Sequence, residues 1–337
     1  MRIATYNIEW FDGLFDDKSR LLVDGEWSAR YQITRADQAD ALGYVFKTMD
    51  ADAVMIIEAP DTNRKRKTVT ALEAFAAHFG LRTSEAVMGF SNDTQQEIAL
   101  LYDPALLTAQ HSPMDGHGDV PRFDGIFSID LDIDATEDQV TFSKPPLELS
   151  IKTVNGFAFH MIGVHLKSKA PHGATNPDEI MRMAIANRRK QLAQAIWLRA
   201  RVDQHLAAGT PLMVLGDLND GPGLDEFERL FGHSSMEIIL GQGDTALFDP
   251  HAQRALRSRL GPIPAAPTTA RFWIRPEKRF LQALLDYIMV SADLKNRDAR
   301  WRIWHPLNDP DCWNDPVLRE ALVTASDHFP VTIDLSV

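Results

Sequence analysis

At 337 residues the chain is long enough for one large domain or two ordinary ones, and with 45% hydrophobic and 24% charged residues it has the balance of a soluble globular protein. The net charge of −12 excludes strong nucleic-acid binding through the overall field, and the single Cys312 excludes an intramolecular disulfide. No apolar run approaches the ~20 residues of a membrane span, and no repeat, low-complexity tract or linker divides the chain, so one domain over 1–337 is expected.

In chain order, the run Arg2-Ile3-Ala4 opens a strand that reaches Asn7. No basic segment followed by an apolar one stands before it, so no signal peptide is expected, and with the lone cysteine this points to a reducing, cytoplasmic setting. Residues 11–33 are polar and rich in Gly and Asp and read as a long loop. Thr34 caps a predicted helix to about Met49, whose apolar face is supplied by Ala36, Ala39, Leu42, Tyr44, Val45 and Phe46. A strand ending at Glu58 follows, then a helix from Val69 to Phe79 stopped by Gly80. Strand-like runs occupy Ile98–Tyr102, Ile126–Ile133, Leu147–Val154 and Phe157–Val164. Asn176-Pro177-Asp178-Glu179 opens a helix to about Ala208, with proline in the first turn and acids suited to the dipole, and the strand Pro211–Leu215 comes next. Residues 232–284 read as loops and short helices, and the chain closes with strands over Leu285–Val290, Trp301–Trp304 and Val331–Leu335. Strands dominate both halves, which makes a layered sandwich in which helices cover two packed sheets.

Polar residues recur at the C-terminal ends of these strands, the pattern of one site assembled from distant segments on a rigid scaffold. Asn7 and Glu9 follow the first strand, Glu58 the second, and His165 with Lys167 the run to Val164. In Gly216-Asp217-Leu218-Asn219 the glycine allows a sharp turn, and the two polar residues share a face. An Asx turn closing the strand is the lesser alternative for that pair, because a turn rarely needs both groups after so apolar a strand, and a simple amphipathic strand is the alternative for Asn7 and Glu9. Ala59-Pro60 forces an extended exit that would hold the Glu58 carboxylate at the sheet edge, where Mg²⁺ needs few protein oxygens. Asp286, inside the apolar run Leu285–Ile288, needs a partner, and His328 in Ser326-Asp327-His328-Phe329-Pro330 is the obvious one. Basic runs lie at Arg64–Lys67, Arg188–Lys190 and Arg275–Arg279. The first follows Glu58 closely, so it is either a solvated face or a grip on substrate phosphates.

Taken together, Thr5-Tyr6-Asn7, Glu58, Glu97 before Ile98–Tyr102, Lys144-Pro145-Pro146-Leu147, His165-Leu166, Gly216–Asn219, Leu285–Ile288 and Ser326–Pro330 resemble the endonuclease/exonuclease/phosphatase superfamily, nearly end to end. The resemblance implies an α+β fold, the four-layer α/β/β/α sandwich of deoxyribonuclease I-like proteins. It implies that Glu58 is the principal metal ligand, with Asn7, Asp327 and Glu9 beside it. Asp217 is then the base that orients or deprotonates water, Asn219 a donor to a phosphate oxygen, and His165 and His328 the two histidines flanking the scissile phosphate. Asp286 would pair with His328, Glu97 would orient His165, and Lys144 would contact phosphate. Two positions depart from the common pattern: Ile57 stands where many members carry Gln, and Lys144 where many carry Arg, which removes a bidentate fork.

The expected activity is a Mg²⁺- or Mn²⁺-dependent phosphodiesterase acting by in-line attack of water, with nuclease action on nucleic acid placed first. A phosphatase or phospholipase acting on a small or lipid phosphoester is the alternative, and a non-catalytic binding module the remote one. No membrane anchor and no obligate protein partner are expected.

Overall fold

A computed structural model gives the structure and describes every residue except 93, 95, 132–136, 172, 223–231, 259–265 and 275–277. Two sheets carry the architecture. The first is built from β1 (Arg2–Asn7), β2 (Ala53–Pro60), β3 (Glu85–Met88), β4 (Gln96–Tyr102), β14 (Arg300–Ile303) and β15 (Val331–Asp334), in the order β14-β15-β1-β2-β4-β3. The second is built from β5 (Leu107–His111), β8 (Leu147–Thr153), β9 (Ala158–His165), β10 (Leu212–Asp217) and β13 (Asp286–Val290), in the order β13-β10-β9-β8-β5. Each sheet is antiparallel except for one central parallel pair, β1 with β2 and β9 with β10. Short hairpins β6 (Phe127–Ile129) with β7 (Asp138–Val140), and β11 (Ala270–Ile274) with β12 (Arg279–Ala283), stand outside the sheets.

The central strands are apolar on both sides because both sides are covered. Ile3, Met55, Ile57, Leu100, Met161, Met213, Leu215, Ile288 and Val331 fill the space between the sheets. The alternate residues Ala4, Tyr6, Val54 and Ile56 pack outward under α1 (Arg35–Met49) and α2 (Thr68–Phe79), through Leu42, Val45, Phe46, Leu72 and Phe75. On the other side Ile162, Val164 and Val214 pack under α3 (Pro177–Ala207), where Trp197, Leu198 and Val202 are fully buried. The result is the expected α+β four-layer sandwich. Among the described residues, no helix is long and apolar enough to cross a membrane.

Period-2 alternation decides what reaches the site. Residues 3, 5 and 7 of β1, 161, 163 and 165 of β9, 213, 215 and 217 of β10, and 286, 288 and 290 of β13 fall on the faces that look into the space between the sheets. Asn7, His165, Asp217 and Asp286 are therefore the polar ends of rows that are otherwise core. Glu58 has the wrong parity for this. A bulge in β2 between Ile57 and Ala59, with Glu58 at a φ of 65°, turns its side chain out of the outward row.

Several elements differ from expectation. The 11–33 segment is anchored, with a short 3-10 turn at Phe11–Leu14 whose Phe11 and Leu14 are buried in the core. The strand predicted over Ile126–Ile133 is seen only as β6, and residues 132 and 133 lie outside the described residues. The β11–β12 hairpin stands where loops and short helices are predicted. A helix over Pro316–Ala325, started by the Asp315 side chain, fills a stretch for which no element is predicted.

Gly216 shows how tightly the β10 exit is set. Its φ is 138°, and an added Cβ would sit 2.0 Å from the carbonyl oxygen of Val164 on the paired strand. Gly216→Ala is expected to destabilise the fold by more than about 3 kcal/mol, through backbone strain and displaced pairing. Chemical denaturation measures this, and a loss below about 1 kcal/mol would show that the strand exit relaxes freely.

Candidate active site

The strand ends open into a cleft of about 640 Å³ lined by Asn7, Glu9, Trp10, Glu58, Gln96, His165, Asp217, Asn219, Asp327 and His328. Asp286 and Lys144 stand immediately behind this lining and touch it through hydrogen bonds. The segments carrying these residues are separated by up to about three hundred positions in sequence and meet only through the sheet order.

The deepest part is a buried trio. Asp217, Asp286 and His328 present ligand atoms within 4.8 Å of one another. His328 Nδ1 lies 2.8 Å from Asp286 Oδ2. Burial opposes a charged imidazole, but the carboxylates of Asp286, Asp217 and Asp327 outweigh it and hold the His328 pKa well above the ordinary value. A protonated imidazole is no metal ligand, so this trio stores a proton between two acids. Burial raises the Asp217 pKa to about 7 against the pull of His328, with Asp286 adding to the rise. Asp217 is further held by Asn7 Nδ2 at 2.9 Å and by the backbone N–H of Asn219 at 2.7 Å. Asn219 has a φ of 50° and donates its Nδ2 to Leu166 O, 3.1 Å away, and to Asp217 Oδ2, 3.2 Å away.

Next to the trio is a second group of acids, Glu58, Asp327 and Glu9. Burial raises the Glu58 pKa, and Asp327 raises it further, while Lys144, His328 and the Trp10 backbone N–H oppose the rise. Burial, then Asp327, lift Glu9 to about 7 in spite of Arg30. Asn7 Oδ1 is buried with no hydrogen-bond partner among the described residues. Crowded carboxylates beside an orphaned amide oxygen form a hard oxygen set that a divalent cation would relieve, so these residues fit such an ion. Glu9 fits it least, because its carboxylate is already engaged by Arg30.

His165 lies at the other side, its Nε2 3.6 Å from Asp217 Oδ2. Burial, then the ammonium of Lys144, hold its pKa well below the usual imidazole value. Lys144 Nζ is 3.3 Å from His165 Nδ1, and an ammonium can only donate, so Nδ1 accepts and the ring proton sits on Nε2, facing Asp217. Lys144 also donates to Gln96 Oε1 at 2.6 Å, and Gln96 Nε2 donates to Glu58 Oε2 at 2.6 Å. One amide therefore links the lysine to the acid.

Two expectations need correction. Glu97 does not reach His165; it accepts from the Asn92 backbone and side chain, and burial lifts its pKa to about 7. Lys144 is the group on His165, and it faces the protein. Of the basic run, Arg66 is tied to Asp61 and to the carbonyls of Asp12 and Phe15, Lys65 pairs with Asp17, and Lys67 Nζ reaches Asn63 O. Those three side chains brace loops, and Arg64 is left exposed. Residues 275–277 of the third basic run lie outside the described residues. Reading the sequence alone missed Gln96, Arg30 and Trp10. Alternation along β4 was the one available signal for Gln96, since residue 96 continues the row of Ile98 and Leu100.

The family model described as Endonuclease/Exonuclease/phosphatase family matches residues 4–328. The chain belongs to this family. Its members are hydrolytic phosphoesterases and are generally dependent on a divalent metal, so this protein is a phosphoesterase. Among solved structures it is similar to TDP2 from C. elegans, with 13% identity and a TM-score of 0.50 over 98% of this chain and 74% of that one. It is also similar to the 3′ phosphatase NExo from Neisseria bound to a product DNA hairpin, with 15% identity and a TM-score of 0.48 over 99% of each chain. A family protein from Bacteroides thetaiotaomicron shows 15% identity and a TM-score of 0.49 over 99% of this chain and 96% of that one. Comparison with curated proteins gives no match. At 13% identity the likeness to the C. elegans TDP2 structure speaks for the fold alone.

The Lys144–His165 contact gives a direct test. Lys144→Met keeps most of the bulk and removes the ammonium, so the His165 pKa should rise, while burial still keeps it below the ordinary value. NMR titration of the His165 ring protons reads this, and an unchanged pKa would show that burial alone sets it.

Proposed function

We propose that the protein is a nuclease that hydrolyses phosphodiester bonds of nucleic acid, with Mg²⁺ or Mn²⁺ bound at Glu58, Asn7 and Asp327. The observation that carries this reading is a second groove, of about 940 Å³, that shares Glu9, Phe272 and Asp327 with the catalytic cleft. Its walls are Arg30, Tyr31, Arg271, Trp273 and Phe280. Tyr31 is 82% exposed, Trp273 49% and Phe280 45%, although each is an apolar or amphipathic ring. Trp273 and Phe280 face each other across the β11–β12 hairpin at 5.0 Å between centroids, and the Arg271 guanidinium lies 3.5 Å from the Phe280 centroid. Exposed rings with arginine beside a phosphoester cleft favour flat, stackable groups, and unpaired bases provide them. A chain of charge −12 gains little from phosphates far from the site, so base stacking is the economical hold on such a polymer.

The chemistry assigned to each group follows from its surroundings. A bound cation would neutralise charge growing on the phosphoryl oxygens. Asp217, with its pKa near 7, accepts a proton from the attacking water, whose oxygen forms the new P–O bond as the bond to the leaving oxygen breaks. His328, charged and fixed through Nδ1 by Asp286, faces the developing negative charge; the Nε2–H of His165 is a further donor to it, and Asn219 Nδ2 becomes one by exchanging its 3.2 Å contact with Asp217 for a phosphoryl oxygen. Because Asp217 must be ionised, turnover of a small diester should rise as pH climbs through about 7 and level off above it. A flat profile from acid to neutral pH would remove Asp217 as the base.

Two variants test the assignment. Glu58→Gln should weaken Mg²⁺ binding, read by calorimetry, and lower turnover by orders of magnitude with the fold intact; unchanged Mg²⁺ affinity would take Glu58 out of the ion site. Trp273→Ala combined with Phe280→Ala should raise KM for a single-stranded oligonucleotide by about 5- to 150-fold, the worth of a stacked base. The same pair should leave hydrolysis of bis-p-nitrophenyl phosphate within about two-fold, because that substrate ends at the cleft. Equal KM values for the oligonucleotide would sink the nucleic-acid reading and favour a small phosphoester.

A further inference from the structure

Helix α3 reaches the site through a residue that touches neither the cleft nor its lining side chains. Gln191 is fully buried. Its Nε2 donates to Lys167 O at 2.9 Å, to Asn219 O at 3.1 Å and to Leu218 O at 3.3 Å. Two amide protons thus serve three carbonyls, which belong to the exits of two neighbouring strands, β9 and β10. The opposite end of the amide is also fixed, because Oε1 accepts from Arg188 Nη1 and from Ser235 Oγ, each at 3.3 Å. With donors on one side and acceptors on the other, the amide has a single orientation.

Around it the same network is closed by charge. Asp220 is fully buried, pairs with Arg188 at 2.9 Å and Lys169 at 2.6 Å, and accepts from the backbone N–H of Ser235 and Gly221. One turn further along α3, Gln194 Oε1 accepts from Lys167 N at 2.9 Å. The helix therefore holds both the N–H and the carbonyl of Lys167, and the carbonyl of Asn219. Asn219 itself is in the left-handed region, which asparagine adopts more readily than most residues when its side chain bonds locally.

We propose that Gln191 is a positioning residue for the reaction: it fixes the backbone of Asn219 against the β9 exit, and so aims the Asn219 carboxamide at the phosphoryl group. This rests on the reading of Asn219 as a phosphate donor under the proposed function. It does not depend on the substrate being nucleic acid.

The test uses the full chain with Mg²⁺ and bis-p-nitrophenyl phosphate, which reports phosphodiester cleavage whatever the natural substrate. Gln191→Met keeps the length of the side chain and removes every hydrogen bond. If Gln191 merely fills space, its kcat stays at the wild-type value. A positioning role lowers kcat by about 10- to 100-fold with KM within about two-fold, as misplacement of a reacting group does. The loss should also be non-additive: in an Asn219→Ala background, Gln191→Met should cost less than about two-fold more, because the group it aims is gone. Wild-type kcat in Gln191→Met, or losses that multiply in the double variant, would overturn the proposal. If Asn219→Ala alone keeps full kcat, the phosphate role of Asn219 fails, and the proposal is overturned at that residue and not at Gln191. Thermal melts establish that each variant is folded at the assay temperature. Should Gln191→Met not fold, Ser235→Ala removes only one hydroxyl from Oε1. It should show a smaller loss with the same non-additivity, and wild-type kcat there overturns the proposal as well.

Discussion

The structure depends on one constraint: charge placed between two apolar sheets must be paired. Asn7, His165, Asp217 and Asp286 leave the inner faces of β1, β9, β10 and β13, rows that are otherwise Ile, Leu, Met and Val apart from Thr5 and Gly163. Water has little access there, so an isolated ion would be expelled or neutralised. The fold resolves this by giving each group a specific neighbour. Asp286 holds a proton on His328, Asn7 and Asn219 hold Asp217, and Lys144 holds His165 neutral. The remaining acids, Glu58 and Asp327, have no paired side-chain cation among the described residues, and under the proposed function a divalent ion balances them. The same burial that makes the site costly also raises Asp217 into the range where a carboxyl can exchange protons near neutrality.

Around this centre the two halves of the sandwich contribute differently. The first sheet brings oxygen donors, through Asn7 and the bulged Glu58. The second brings the titratable groups His165, Asp217 and Asp286, to which the proposed function gives the proton-handling roles. His328, at the entry to β15, crosses from the first sheet to Asp286 in the second and joins the two. A long helix stiffens the second sheet from outside, and the amide of Gln96 links Glu58 to Lys144 across the gap.

Much of this was legible in the sequence because apolar strands that end in polar residues announce both a sheet and its rim. The runs before Asn7, Glu58, His165 and Asp217 did so, and the pairing of Asp286 with His328 followed from the need of a buried acid for a partner. Other features left no such trace. The bulge at Glu58 depends on where β4 pairs, so Ile57-Glu58-Ala59 alone did not show how the side chain would turn. Gln96 and Glu97 are adjacent polar residues entering one strand, and only the alternation with Ile98 and Leu100, which depends on knowing which face of β4 looks inward, says which one faces the cleft. The β11–β12 hairpin is short and partly exposed, with Pro267 just before it and Pro276 between its strands in sequence, so its Trp273–Phe280 pair did not read as a strand pair. Arg66 looked like one of four interchangeable charges, whereas tertiary contacts give it a fixed place.

That place has a consequence for how the site meets its substrate. Arg66 joins Asp61, just past β2, to the carbonyls of Asp12 and Phe15 on the turn that follows Glu9 and Trp10. Phe11 and Leu14 are sunk in the core from the same turn. The rim beside the acids is thus built into the body of the protein and does not behave as a lid. Association with such a rim involves little ordering of the backbone, so less of the interaction energy is lost on binding. Selection then falls to the fixed shape of the mouth: a ligand is accepted by rigid fit, with no rearrangement of the rim to accommodate a poorer one.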